Sequence, residues 1–184
     1  MGQVKRVEPV IAFCAVITRH AELRSWVRQQ LGALWGGLQA EDAAVPFEAE
    51  DYYCAEMGER IGKLMIAARE PRDPAELADW KLATNRIEQQ CSAAGAWSAA
   101  RPLNLDPGYI SQSKLVLATV KDRDHRIYLR DGIFAEVTLR RRRSGWVDNA
   151  WTYRDYRGDD VKRFAEQARR RLRDHLIAID GFRR

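Results

Sequence analysis

The chain has 184 residues, of which 46% are hydrophobic and 31% charged. That is the balance of a folded globular protein, not of a disordered or collagen-like one, and the length suits a single domain over residues 1–184. The net charge of +5 is uneven: residues 121–184 hold 18 Lys/Arg against 11 Asp/Glu, and residues 1–120 hold 13 against 15.

No apolar run comes near the roughly 18 residues that a membrane helix needs, and the first residues lack a signal-peptide core, so a cytoplasmic protein with no membrane partner is expected. Residues 9–17 are rich in β-branched side chains and predict a first strand. Residues 19–34 then place Leu23, Trp26, Val27, Gln30 and Leu34 on one stripe at helical spacing, and Gly36 with Gly37 ends that helix. Val45, Pro46 and Phe47 give at most an edge strand, because proline cannot donate to a ladder. Residues 63–69 read as another strand. Asp73, Pro74 and Glu76 supply a cap, a proline at the first helical position and a capping-box carboxylate. They predict a helix to about Ala94, with Leu77, Trp80, Thr84, Ile87 and Cys91 inward. Lys81, Asn85 and Glu88 share a face beside that stripe, where solvent-facing ion pairs are the ordinary expectation.

Next comes Arg101-Pro-Leu-Asn-Leu-Asp-Pro-Gly-Tyr109, in which Pro107-Gly108 predicts a type II turn and Asp106 an Asx-turn. Asn104, Asp106 and Lys114 crowd the entrance to the strand that follows, a place where loops often carry chemistry.

Residues 114–121, 125–129 and 133–140 then alternate as three strands of an antiparallel meander. A two-residue turn at Asp131-Gly132 would mix apolar and charged groups on each face. A three-residue loop with Gly132 left-handed in a G1 bulge sets Leu129 against Ile133, Ile127 against Ala135 and His125 against Val137. One face then holds Val116, Ala118, Val120, Ile127, Leu129, Ile133, Ala135, Val137 and Leu139. The other puts Thr119, Arg126 and Glu136 in one row beside Leu117, Tyr128 and Phe134. Arg126 and Glu136 face each other as a favourable cross-strand pair. Asp159 or Asp160 caps a last helix with Val161, Phe164, Ala168, Leu172 and Leu176 inward. The class expected is α+β, a mainly antiparallel sheet with three helices on its core face, as a ferredoxin-like core extended by the meander.

Cys14, Cys54 and Cys91 are odd in number and widely spaced, so reduced thiols are expected, and no metal site follows from them or from His20, His125 and His175. Asp51, Tyr52, Tyr53 and Glu56 could join Asp106 and Glu136 at an acidic site for Mg²⁺ and a phosphate, though nothing in their spacing forces them together. The leading functional expectation is binding of, or catalysis on, a small phosphorylated or nucleotide-like ligand. In it Arg126, Lys114 and Lys121 hold the phosphate, Thr119, Asn104 and Tyr128 line the site, and Glu136 or Asp106 moves a proton. The plain alternative for that row is an ordinary ion pair on a half-exposed sheet face. A rival function is RNA binding through residues 140–143, Arg169, Arg170, Arg171 and Arg173 with Trp146 and Trp151, and a third is a structural partner-binding module. Against RNA, such arginines are more often a solvated helix face and a charged hairpin tip.

Asp51-Tyr-Tyr followed by Glu56 and Gly58, Asn104-Leu-Asp-Pro-Gly-Tyr-Ile110, Ser113-Lys-Leu-Val-Leu-Ala-Thr119, His125-Arg-Ile-Tyr-Leu129 and Trp151-Thr-Tyr with Asp155 and Tyr156 together resemble the family called domain of unknown function 4416. The resemblance spans about residues 7–173. It implies no activity, substrate or catalytic residue. Members are sometimes labelled GTP-binding, but Gly58-Glu-Arg-Ile-Gly62-Lys63-Leu64 has one residue too few between its glycines for a P-loop and no Ser or Thr after the lysine.

Overall fold

A computed structural model describes residues 2–3, 7–39, 43–45, 47, 56–97, 99 and 101–180. Within them lie β1 (Ile11–Thr18), α1 (Ala21–Trp35), β2 (Ala43–Val45), β3 (Gly62–Ala67), α2 (Leu77–Ala93), β4 (Asn104–Ile110), β5 (Lys114–Thr119), β6 (Ile127–Arg130), β7 (Ile133–Arg142), β8 (Gly145–Asp148) and α3 (Asp159–Asp180). The strands make one antiparallel sheet in the order β2-β3-β1-β4-β5-β7-β6, with β8 also on β7. The class is α+β.

The sheet is covered on both faces. On the first face Cys14, Val16, Ile66, Leu105, Val116 and Ala118 pack with Leu23, Val27, Leu31 and Trp35 of α1 and with Leu77, Trp80 and Ile87 of α2. Trp35 meets Trp80 edge to face at 6.2 Å. On the second face Phe13, Ala15, Met65, Ile110, Leu115, Leu117 and Leu139 pack with Val161, Phe164, Ala168, Leu172 and Leu176 of α3. The helices are therefore not all on one face as expected. α3 needs an apolar surface of its own, and β1, with all eight residues buried, supplies it by being apolar at both parities.

Local expectations fare unevenly. The inner stripe of α2 is as read, and Asp73 accepts a hydrogen bond from the Ala75 N–H at 2.9 Å in a one-turn 3₁₀ segment before the helix. Glu76 does not complete a capping box; its carboxylate accepts from Arg72 and from Trp80 Nε1. The stripe of α1 is Leu23, Val27, Leu31 and Trp35, so Trp26 and Leu34 lie at its margin. Cys14 and Cys91 are free and buried, while Pro46 and Cys54 lie outside the described residues.

The largest corrections concern the middle of the chain. Pro107-Gly108 is not a turn but part of β4. Gly108 is glycine for space, because a Cβ there would stand 2.2 Å from the Val116 carbonyl oxygen and 2.8 Å from the Phe13 ring. The meander is also reordered: β5 pairs with β7, and β6 lies outside β7. All four residues of β6 are exposed, which suits an edge and not an inner strand that must bury both faces. Ile127 and Leu129, expected in the core, are exposed for the same reason, and Val120, just beyond the end of β5, is exposed as well. Asp131 (φ 53°) and Gly132 (φ 75°) form the two-residue turn rejected above, opposing Arg130 to Ile133. A bulge at Leu129 then restores Ile127 opposite Ala135, so that part of the expected register is reached by another route.

Candidate functional site

The β4–β5 ladder joins only Gly108–Ile110 to Leu115–Leu117, although β4 runs on along β1 and β5 runs on along β7. The cause is local. Leu105, Pro107 and Tyr109 point their main-chain groups toward β5, and Pro107 has no N–H with which to extend the ladder. Beyond it α2 stands in for the missing strand: Lys81 Nζ donates to the Leu105 carbonyl at 2.8 Å, and Glu88 accepts from the Leu105 N–H at 2.6 Å. Lys81 and Glu88 are thus not the solvent-facing pair expected of them. Burial raises the Glu88 carboxyl above its usual range, against the opposing pull of Lys81, the Leu105 N–H and Arg101.

Where the two strands part, a cleft of about 340 Å³ opens. Asn104, Asp106, Thr119, Lys121, Arg126 and Glu136 all line it, with Lys81, Arg101 and the segment Tyr153, Arg154, Asp155 and Tyr156. Six of the eight residues read from the sequence are therefore brought together. Lys114 is not; it stands at the far end of β5 opposite Arg140. Nor is Tyr128, which is 58% exposed and packs edge to face on Phe134. The expected row is shifted as well: Leu117, not Thr119, opposes Glu136, and Thr119 opposes Phe134.

Arg126 precedes β6 and reaches the cleft by its side chain. Its Nε donates to Glu136 at 2.9 Å, one terminal nitrogen to the Lys121 carbonyl at 2.8 Å and the other to Tyr153 Oη at 2.9 Å. With 3% of that side chain exposed, Arg126 ties three parts of the cleft wall together. Burial alone would lower its pKa, but the hydrogen bonds to Glu136 and Tyr153 outweigh it and raise it. Glu136 is equally committed. One oxygen contacts Arg126 and His125 Nε2 (3.2 Å), the other accepts from Thr138 at 3.2 Å. Its contacts and its 2% exposure suit it to holding Arg126 in place.

Asp106 differs. Its Oδ2 accepts from Asn104 Nδ2 at 2.8 Å, its Oδ1 lies 3.7 Å from Lys81 Nζ, and 29% of the side chain is exposed. Arg101 donates to the side-chain Oδ1 of Asn104 and lies 3.7 Å from Glu88. A polar chain Arg101, Asn104, Asp106, Lys81 thus runs along one side of the cleft.

The roof is fastened at a second irregularity. Thr138 is the extra residue where β7 slips against β5, and the carbonyls of Val137 and Thr138 are taken up from outside the sheet. Asn149 Nδ2 and Trp151 Nε1 donate to Val137 O at 2.6 and 3.0 Å, and Thr152 Oγ1 donates to Thr138 O at 2.6 Å. Trp151 also stacks on His125 at 5.0 Å. Farther on, Asp155 is held at 2.5 Å by Lys63, whose ammonium sits 3.4 Å from the centre of the Tyr156 ring. Burial lowers the Lys63 pKa despite the opposing pull of Asp155.

A family model described as Domain of unknown function (DUF4416) matches residues 8–172. The chain belongs to this family. Comparison with curated proteins and with solved structures gives no match.

In this DUF4416 chain the stretch 151–156, noted in the sequence for its resemblance and, at Trp151, as an RNA-binding aromatic, has a physical role at nearly every position. Trp151 and Thr152 bind β7, Tyr153 binds Arg126, and Asp155 and Tyr156 bind Lys63. The pairing of Lys63 with Asp155 escaped the sequence reading. The available signal was the parity of Lys63, a lysine on the same side of β3 as Met65 and Ala67. It lies inside a strand, not at the head of a phosphate loop. Asp51, Tyr52 and Tyr53 lie outside the described residues, and Glu56 is exposed and pairs with Arg101 at 3.4 Å. Among the described residues no three His, Cys, Asp or Glu side chains stand together as a metal site, and no helix is long and apolar enough to cross a membrane.

Proposed function

We propose that the cleft binds a small phosphorylated molecule. The observation that carries this reading is the sign of the lining: Lys81, Arg101, Lys121, Arg126 and Arg154 against Asp106, Glu136 and Asp155 in a cavity of about 340 Å³. A partly enclosed, cation-rich cavity of that size favours an anion more strongly than an open surface does, because screening water is fewer. Arg126 and Glu136 neutralise each other, so the excess rests on the remaining cations. Lys121 is exposed and its ammonium is in no ion pair among the described residues, which makes it the first phosphate ligand, with Arg101 and Lys81 elsewhere in the same lining.

If the cleft also catalyses a reaction, Asp106 is the residue suited to move a proton, being partly exposed and polarised by Asn104 and Lys81. Glu136 is better suited to holding Arg126. A Mg²⁺ ion would enter with the phosphate, since Mg²⁺ is commonly bound by one or two carboxylates together with substrate oxygens.

The RNA reading has less support. Arg141 pairs with Glu166 at 3.0 Å, Arg169 donates to the Gln112 carbonyl, and Arg171 donates to the carbonyls of Ala68 and Arg69. Trp146 is buried with its indole N–H on Glu166.

Calorimetric titration with inorganic phosphate and pyrophosphate at low salt tests the proposal. Binding should be measurable, and Lys121→Ala should weaken it about tenfold, or ~1.4 kcal/mol. No heat and no rise in melting temperature with either anion would refute it.

A further inference from the structure

The other part of the cleft lining bears on what the phosphate is attached to. Phe47, Leu117, Val120, Tyr153 and Tyr156 line the same cavity as the cations. Val120 is 54% exposed and Tyr153 46%. Val120 is also the neighbour of Lys121, so the free ammonium and the apolar surface are adjacent along one stretch of chain. Water-facing apolar groups in a cleft are ordinarily the part of a site that receives an apolar piece of ligand.

The neutral polar groups point the same way. A sugar ring needs side-chain donors and acceptors for its hydroxyls. The lining offers Asn104, Thr119 and the tyrosine hydroxyls, few neutral polar groups beside its ions and apolar side chains. The Asn104 amide is bonded at both ends, by Arg101 and to Asp106. The Thr119 hydroxyl accepts from the Lys121 N–H at 3.2 Å, and the Tyr153 hydroxyl accepts from Arg126. A site for free phosphate would have no use for the apolar wall.

Resting on the phosphate reading above, we infer that the ligand is a phosphate ester of an aromatic or similarly flat apolar group. The phosphate lies toward Lys121 and the ring against Val120 and Tyr153. Flat rings lose little conformational freedom on binding and gain the full apolar contact.

Calorimetry on the full chain with four probes tests this: inorganic phosphate, ribose 5-phosphate, phenyl phosphate and 1-naphthyl phosphate. The aryl phosphates should bind at least about tenfold tighter than the other two, and Val120→Ser should shrink that ratio to about threefold or less. Val120 is exposed, so the variant keeps its fold, which circular dichroism verifies. Equal binding of all four, or an aryl preference untouched by Val120→Ser, would overturn the inference while leaving the phosphate reading in place. No binding of any probe would overturn both.

Discussion

Arg126 engages three partners at once, the Glu136 carboxylate, the Lys121 carbonyl and the Tyr153 hydroxyl. Removing it would leave Glu136, 2% exposed, without its main counter-charge. Breaking such a buried pair costs about 3–5 kcal/mol, far more than an exposed ion pair. Arg126→Ala should therefore lower stability in urea melts by roughly 3 kcal/mol, the low end because His125 and Thr138 still contact Glu136. A loss under about 1 kcal/mol would contradict the strut role. Glu88 gives a prediction with a sign. Its folded pKa is raised, so between about 4.5 and that raised value the folded state holds more protons than the unfolded one. Its stabilising contribution is full below pH 4.5 and is lost as pH rises through the folded pKa. Glu88→Gln keeps an acceptor for the Leu105 N–H, so its stability relative to the native chain should improve from pH 4 to pH 7. At this scale the sequence was partly readable. Arg126 and Glu136 pair as expected, because the register is the expected one at Ile127 although a different turn leads to it. Lys63 was not readable as a partner of Asp155, because 92 residues separate them and only the folded sheet brings them together.

Among the elements, β4 decides where the cleft lies. Its Pro107 ends the ladder to β5, and its Gly108 lets β5 and Phe13 approach. Gly108→Ala should destabilise by about 1–3 kcal/mol through overpacking against backbone, which cannot swing aside as a side-chain tip can. Native-like stability in chemical denaturation would contradict this close approach. Gly132→Ala is a contrasting case. A Cβ there meets nothing within 4 Å, but φ is +75°, so a cost of roughly 1 kcal/mol should come from backbone strain alone. The same elements explain why the sequence misled. Pro-Gly is read as a turn because that pair usually makes one, whereas here the pair lies within a strand that β1 keeps extended along its whole length. The meander order failed because consecutive strands pair more often than not, yet β6 is short and exposed on every residue. The bulge at Leu129 carries no signature of its own, so a register correct at Ile127 came with a turn that was wrong.

For the molecule as a whole, three helices and an antiparallel sheet were legible from periodicity, and the inner residues of α2 and α3 were named correctly. Which face each helix covers was not, since a strand apolar at both parities, like β1, accepts helices on either side. That placement makes the cleft possible. α3 covers only part of the second face, and the remainder, floored by β4, β5 and β7 and roofed by residues 153–156, is left as a polar cavity. The arginine surplus of residues 121–184 likewise misleads as a tally, because Arg141, Arg169 and Arg171 hold α3 to the sheet and to the end of β3. Binding of RNA should accordingly be weak, and binding of phosphate should saturate at one site. Mapping of backbone amide shifts by ¹⁵N NMR as inorganic phosphate is added separates these outcomes directly. The account predicts saturable shifts confined to Lys121, Thr119, Asp106, Asn104 and Arg101, with none at Arg142, Arg143 or Arg170. Shifts centred on those arginines, or no saturable shifts in the cleft, would contradict it.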